Sequence, residues 1–192
     1  MKALILILMT KGGSHLKKII LLQGFLFFGG LLFGIAAYVC LPDEQIFALQ
    51  QFLSIQMQEM SDGASWTTLS SSIFHANCMD LLRLYLAGIC LIGFPLICLF
   101  LFVKGFTFGF AGCFLLGHSP FLVLTRVFFT PLLIIAAALG CRFNFMLIQN
   151  RVSNPLHQLV QYTLVFLFLF LLTLVVSYLD GLSSNSFLHH LS

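Results

Sequence analysis

The chain has 192 residues, 60% of them hydrophobic and only 8% charged, with a formal net charge of +3. Soluble domains carry about 25% charged residues, and one this apolar would expose aggregating patches. The composition excludes a water-soluble globular domain and places the chain in a bilayer; with no basic patch, nucleic-acid binding is excluded as well.

Residues 1–18 read as a cytoplasmic tail. The apolar start from Ala3 to Met9 is too short to span, is followed by Lys11, and lacks a small-residue cleavage site. A crossing helix needs about 20 mainly apolar residues, and five stretches qualify: Ile19 to Leu41, Leu81 to Val103, Gly105 to Thr125, Val127 to Ile148 and Leu159 to Leu179. Lys17 and Lys18 precede the first, which Pro42 closes; Gly117, His118 and Pro120 weaken the third. Between the first two, Ile46, Leu49, Phe52, Leu53, Met57 and Met60 fall on one helical face, opposite Gln50, Gln51, Gln58 and Glu59. This predicts an amphipathic helix at the outer interface, ended by Ser61-Asp62-Gly63, with Ala64 to Ser72 a Ser/Thr-rich loop.

The second and third stretches are nearly fused. As one helix, Leu81 to Thr125 would run about 67 Å, more than twice the roughly 30 Å hydrocarbon core, so the chain has to reverse. Lys104-Gly105 is the predicted place, because lysine reaches headgroups and glycine tolerates a tight backbone. With the N-terminus in the cytoplasm and five alternating spans, Lys2, Lys11, Lys17, Lys18, Lys104, Arg142 and Arg151 collect inside, and only Arg83 and Arg126 stay outside. That matches the positive-inside rule. Asp43, Glu44, Glu59, Asp62, Asp80 and Asp180 all fall outside. A rival arrangement makes Gly105 to Pro120 a re-entrant loop, which leaves Arg142 and Arg151 on the outer face and breaks the charge pattern. The predicted fold is thus an all-α integral membrane protein of five transmembrane helices, N-terminus in and C-terminus out, with one outer amphipathic helix between the first two. Its polytopic membrane domain covers 19–180, with the outer amphipathic segment at 43–72 and an outer tail at 181–192.

Gly30-xxx-Gly34, Gly105-xxx-Gly109 and Ala136-xxx-Gly140 are small-residue pairs of the kind that let helix backbones approach closely in lipid. They serve packing within the chain or contact with another subunit, as in a homo-oligomer. Lys104 reads as a snorkelling anchor at a turn, or as the mark of an ion path. Arg142 is close enough to the inner end of its span to reach the interface. His118 belongs to a short outer turn, and His189 and His190 to the tail. Trp66, the only tryptophan, suits interfacial anchoring or a partner contact. The six cysteines contain no CxxC pair; they read as small packed hydrophobes, with Cys40 and Cys78 placed to pair across the outer loop. The sequence has no HExxH, GxSxG, Walker A or paired intramembrane carboxylates, so no catalytic, metal or cofactor site is expected.

The run from Tyr85 to Gly109 resembles the stage II sporulation protein M family. It carries a glycine-spaced span, an Ile-Gly-x-Pro step, and an aliphatic run into Lys-Gly-xxx-Gly. The matching positions are Gly88, Gly93, Pro95, Lys104, Gly105 and Gly109. The first span with Phe33-Gly34, the amphipathic segment, the Ser-rich approach at Ser71 to Phe74 and the five-span layout are also similar, so the resemblance covers roughly residues 19 to 180. A Pro-His-Gly or Pro-Gln-like element that many relatives carry before the fourth span is replaced here by Thr125-Arg126-Val127-Phe128-Phe129-Thr130-Pro131. The resemblance implies a non-enzymatic scaffold of endospore-forming bacteria, in the mother-cell and septal membrane. It would anchor a peptidoglycan-degrading assembly with stage II sporulation proteins D and P during engulfment, those partners carrying the enzymatic activity. The alternative is a membrane subunit of a small transporter, disfavoured because no charged or polar cluster is expected at the bilayer midplane, where transport sites sit.

Overall fold

The computed structural model describes residues 13–49, 51, 66–90, 92–116, 120–148 and 155–191. Five long helices follow one another: α1 (Gly13–Val39), α2 (Trp66–Ile89), α3 (Gly93–Leu116), α4 (Pro120–Ile148) and α5 (Pro155–Leu191). Four of them contain segments long and apolar enough to cross a membrane: Leu16–Val39, Gly93–Cys113, Phe129–Ile148 and Leu156–Tyr178.

α1 ends where predicted. Cys40 N–H still bonds the Ala36 carbonyl, and Pro42 then opens a new turn by accepting from Gln45 and Ile46. Residues 43–49 are helical, with Ile46 and Leu49 half-covered and Asp43, Glu44 and Gln45 exposed. The remainder of the predicted amphipathic helix and the Ser61-Asp62-Gly63 stop lie outside the described residues, apart from Gln51. The loop expected over Ala64 to Ser72 is overturned from its third residue onward, because α2 already begins at Trp66.

The largest correction concerns the reversal. A span over Leu81 to Val103 does not exist: α2 stops at Ile89, and α3 starts at Gly93 and runs unbroken through Lys104 and Gly105. The separate third span over Gly105 to Thr125 and the re-entrant loop over Gly105 to Pro120 both fall with it. A tight reversal between two packed helices needs its backbone groups satisfied, and this one supplies partners for them. Cys90 N–H bonds the Leu86 and Ala87 carbonyls, Gly93 N–H bonds the Cys90 carbonyl at 2.9 Å, and the Asn144 side-chain amide donates to that same carbonyl. Pro95 sits in the first turn of α3, exposed, where its missing N–H costs no helical bond.

Contacts fix the directions. Gln23 meets Cys98 and Phe27 meets Phe108, so α1 and α3 run parallel. Asn77 meets Ser177 and Tyr85 meets Tyr162, so α2 and α5 are antiparallel. Phe94 meets Phe145 and Ile97 meets Gly140, so α3 and α4 are antiparallel, as are α2 and α3, where Asp80 meets Lys104 and Ala87 meets Gly93. α1, α3 and α5 thus point one way and α2 and α4 the other.

α4 is the central helix. Half of its apolar window is buried inside the protein, against 22% for each of the other three. Leu132, Leu133, Ala136, Ala137, Cys141 and Phe143 form its buried face. Pro131 lies inside α4, a position that removes one backbone donor and bends a helix. On one side of α4 the Tyr162 ring stacks on Phe143 at 4.3 Å and on Tyr85 at 5.3 Å, tying α2, α4 and α5 together. α5 continues as helix to Leu191 and so takes in residues 181–191 of the predicted outer tail.

Candidate functional site

Two sets of residues stand out, one made of glycines and one of polar side chains. The glycines lie between α1 and α3. A Cβ on Gly30 would overlap the Phe102 carbonyl, and one on Gly34 the Phe106 carbonyl. Reciprocally, a Cβ on Gly105 would overlap the Phe27 carbonyl, and one on Gly109 that of Leu31. The two Gly-xxx-Gly motifs therefore face each other within one chain, and each helix's glycines receive the other's backbone. Dispersion between closely approaching backbones replaces the hydrophobic effect here. Phe27–Phe108, Phe33–Phe102 and Tyr38–Phe110 ring contacts flank the crossing. Gly24 and Gly112, on the same helices, have open space around them.

Gly88 and Gly93 work elsewhere. Gly88 of α2 lies against the Tyr162 hydroxyl and the Gly140 backbone, and Gly140 of the Ala136-xxx-Gly140 pair meets Ile97 as well. Gly93 sits at the reversal, where a side chain would strike the Ala87 carbonyl.

Polar side chains follow the buried face of α2. Asn77 is 1% exposed and Asp80 6%, and with Leu81, Leu84 and Gly88 they form one helical stripe. Asn77 Nδ2 donates to Ser177 Oγ at 3.1 Å. Thr173, one turn before Ser177 on α5, is fully buried and donates to its own Leu169 carbonyl. Lys104 of α3 crosses to Asp80, with Nζ 2.5 Å from Oδ2, while Arg83 Nη1 stands 3.4 Å from Oδ1. The Lys104 ammonium also lies 5.6 Å from the centre of the Phe100 ring. One carboxylate thus holds two cations.

These positions overturn three expectations. Lys104 is not an anchor at a turn: it lies about 16 Å along α3 from Gly93, inside an unbroken helix. Asp80 and Arg83 are within the helical bundle at comparable depth rather than in the outer loop. A charged and polar cluster does join mid-helix positions of α2 and α3, where the sequence reading expected none within the spans. The spacing of Asn77, Asp80 and Leu84 carried a signal for it, since polar residues on the apolar face of a membrane helix mark an interior contact. A span starting at Leu81 leaves both Asn77 and Asp80 out, whereas the helix begins at Trp66.

Three buried amides complete the interior. Gln23 donates to Cys141 Sγ at 2.9 Å, Asn144 holds the end of α2, and Asn77 holds Ser177. The side-chain oxygen of each has no partner among the described residues. All six cysteines are free thiols, so Cys40 and Cys78 are not paired. No group of three or more His, Cys, Asp or Glu side chains with metal-binding geometry occurs among the described residues. The side chain of Trp66 and residues 117–119, with His118, lie outside the described set.

A family model described as Stage II sporulation protein M matches residues 23–179. Neither a curated protein nor a solved structure matches the chain significantly.

Proposed function

The chain belongs to the Stage II sporulation protein M family, and on that premise we propose that this multi-pass, sporulation-related membrane protein is a non-enzymatic scaffold. It anchors a peptidoglycan-degrading complex, with stage II sporulation proteins D and P as the partners that carry the hydrolytic activity. It acts in the mother-cell and septal membrane during engulfment. One observation carries the reading. The motif residues shared with the family are used to hold helices to one another: Gly105 and Gly109 receive the backbone of α1, and Lys104 closes an internal ion pair. That is the use expected of a rigid platform.

In the membrane we place the N-terminus inside. α1, α3 and α5 then run outward and α2 and α4 inward, giving five crossings with α2 as the least apolar. Lys2, Lys11, Lys17, Lys18, Arg142 and Arg151 lie at the inner side, and Arg126 alone at the outer side, which keeps the positive-inside bias. The segment between α1 and α2 then faces outward, where wall hydrolases work, and Asp43 to Ser72 offers the outer docking element, with Trp66 as its aromatic contact.

Affinity purification of the tagged full chain from sporulating cells tests the proposal. Co-recovery of wall hydrolases is the expected result, weakened by Trp66→Ala or by replacing residues 64–69 with a Gly/Ser linker while the protein stays in the membrane. Recovery of no hydrolase, or of an ATPase subunit in its place, overturns it.

A further inference from the structure

The charge at the centre of the bundle does not balance. Asp80 is buried and already held by Lys104 at 2.5 Å, yet Arg83 adds a second cation whose side chain is 61% exposed on the outer surface of α2. With α2 crossing the bilayer as in the arrangement proposed above, on which this inference rests, an arginine facing hydrocarbon is costly. The usual relief is snorkelling to the nearest interface. Here the guanidinium is instead held one turn back by Asp80, with Ile89, the nearer end of α2, about 9 Å away along the axis.

Met79, Leu82 and Leu86 flank Arg83 on the same surface, 40%, 40% and 54% exposed. The result is an apolar helix face with one cation in its middle. Such a face is complemented by another apolar helix carrying one anion. A second copy cannot supply it, because Asp80 is the only carboxylate anywhere between Trp66 and Leu179 and it is already shared by two cations. A lipid phosphate lies at the interface, whereas Asp80 holds the guanidinium one turn back.

We propose that the Arg83 face of α2 docks a transmembrane helix of a different protein, one whose apolar segment carries a single Asp or Glu at matching depth. The partner's carboxylate accepts from the Arg83 guanidinium and restores neutrality to the three-residue charge group. This contact lies within the bilayer and is separate from the outer segment. It does not require the partner to be a wall hydrolase.

The test places a photo-crosslinking residue at Leu82 or Leu86 of the full chain in its native cells. The expected adduct joins one partner protein, and the linked peptide maps inside an apolar segment containing a carboxylate. Arg83→Leu is expected to accumulate normally, since Lys104 still neutralises Asp80, yet to lower adduct yield roughly ten-fold. Arg83→Lys retains most of the yield, and Arg83→Asp is rescued by changing the partner's carboxylate to arginine. Adducts with lipid or a second copy only, or a yield indifferent to Arg83→Leu, overturn the proposal. So does failure of both Arg83→Leu and Arg83→Gln to accumulate, which would make Arg83 part of the fold. A carboxylate-bearing helix from a protein without wall-hydrolase activity sustains this docking face and counts against the scaffold reading, so the two fail separately.

Discussion

Lys104 Nζ lies 2.5 Å from Asp80 Oδ2, and the two helices that carry this pair are joined by a reversal whose residues Cys90, Leu91 and Ile92 bear no charge. The pair therefore closes a helical hairpin at its middle while the turn closes it at one end. Because Arg83 also stands by Asp80, the two partners are not equivalent. Lys104→Leu leaves Asp80 with a cation; Asp80→Leu leaves two cations with no anion.

The first prediction follows from that asymmetry. In detergent, Asp80→Leu destabilises more than Lys104→Leu. The smaller loss falls at or below the low end of the roughly 3–5 kcal/mol for breaking a buried pair, because Lys104 is partly exposed. The double variant Asp80→Leu/Lys104→Leu recovers part of the loss. Thermal unfolding of the purified protein measures this, and a strictly additive double variant would mean that the pair is not coupled.

A second prediction separates tight glycines from free ones. Gly30→Ala and Gly105→Ala push α1 and α3 apart and lower accumulation in the membrane. Gly24→Ala and Gly112→Ala meet open space and are neutral, or stabilise by up to about 1 kcal/mol through helix propensity. Equal effects at all four positions would remove the close α1–α3 crossing.

The position of the reversal gives a third. In a background with the other five cysteines replaced, Cys90 reacts with a polar maleimide only after the membrane is opened, and a cysteine at Lys104 stays unreactive from both sides. A turn at Lys104-Gly105 would give the opposite pattern. In a background lacking all native cysteines, a cysteine at Ser65 is labelled from outside, and one at Ser153 is shielded until the membrane is opened.

The buried amides supply a fourth. Asn144→Leu removes one of the two donors to the Cys90 carbonyl, leaving the Gly93 N–H, and costs about 0.5–1.5 kcal/mol, the net worth of a typical hydrogen bond. Gln23→Leu removes a donor to a weak sulfur acceptor together with an oxygen that has no described partner, and is close to neutral. The comparison is read from the unfolding temperatures of the two variants.

α1, α4 and α5 were legible because their apolar runs are long and bounded by Lys18, Pro42, Arg151 or Pro155, and hydropathy measures that directly. α2 was not. Its outer half, with Ser70 to Ser72, Asn77 and Asp80, reads as water-exposed until α5 is known to bring Thr173 and Ser177 against it. The reversal was misplaced because turn signals learned from water reward charge and glycine, which Lys104-Gly105 offers. The turn is set by backbone satisfaction, and one of its two donors is Asn144, 54 residues further along the chain than Cys90. The Gly-xxx-Gly motifs were visible, but their pairing was not, since a motif alone does not name the helix it meets. Pro95 was a usable sign of a helix start, and it was passed over for the lysine.

The uncharged reversal between α2 and α3 has a consequence for biogenesis. α2 carries an aspartate and an arginine, each costing about 2.5–3.5 kcal/mol at the centre of a lone inserting helix, so it is a poor membrane segment while the ribosome has yet to deliver α3. Once Lys104 emerges, the carboxylate gains its strongest partner and the two helices can leave the translocon as one unit. In a nascent chain stopped just after Ile92, protease protection should therefore show α2 inserted far less often than in one stopped after Leu116, so that in the proposed five-crossing arrangement the order of synthesis, rather than the apolarity of α2 itself, gives this helix its place in the bilayer.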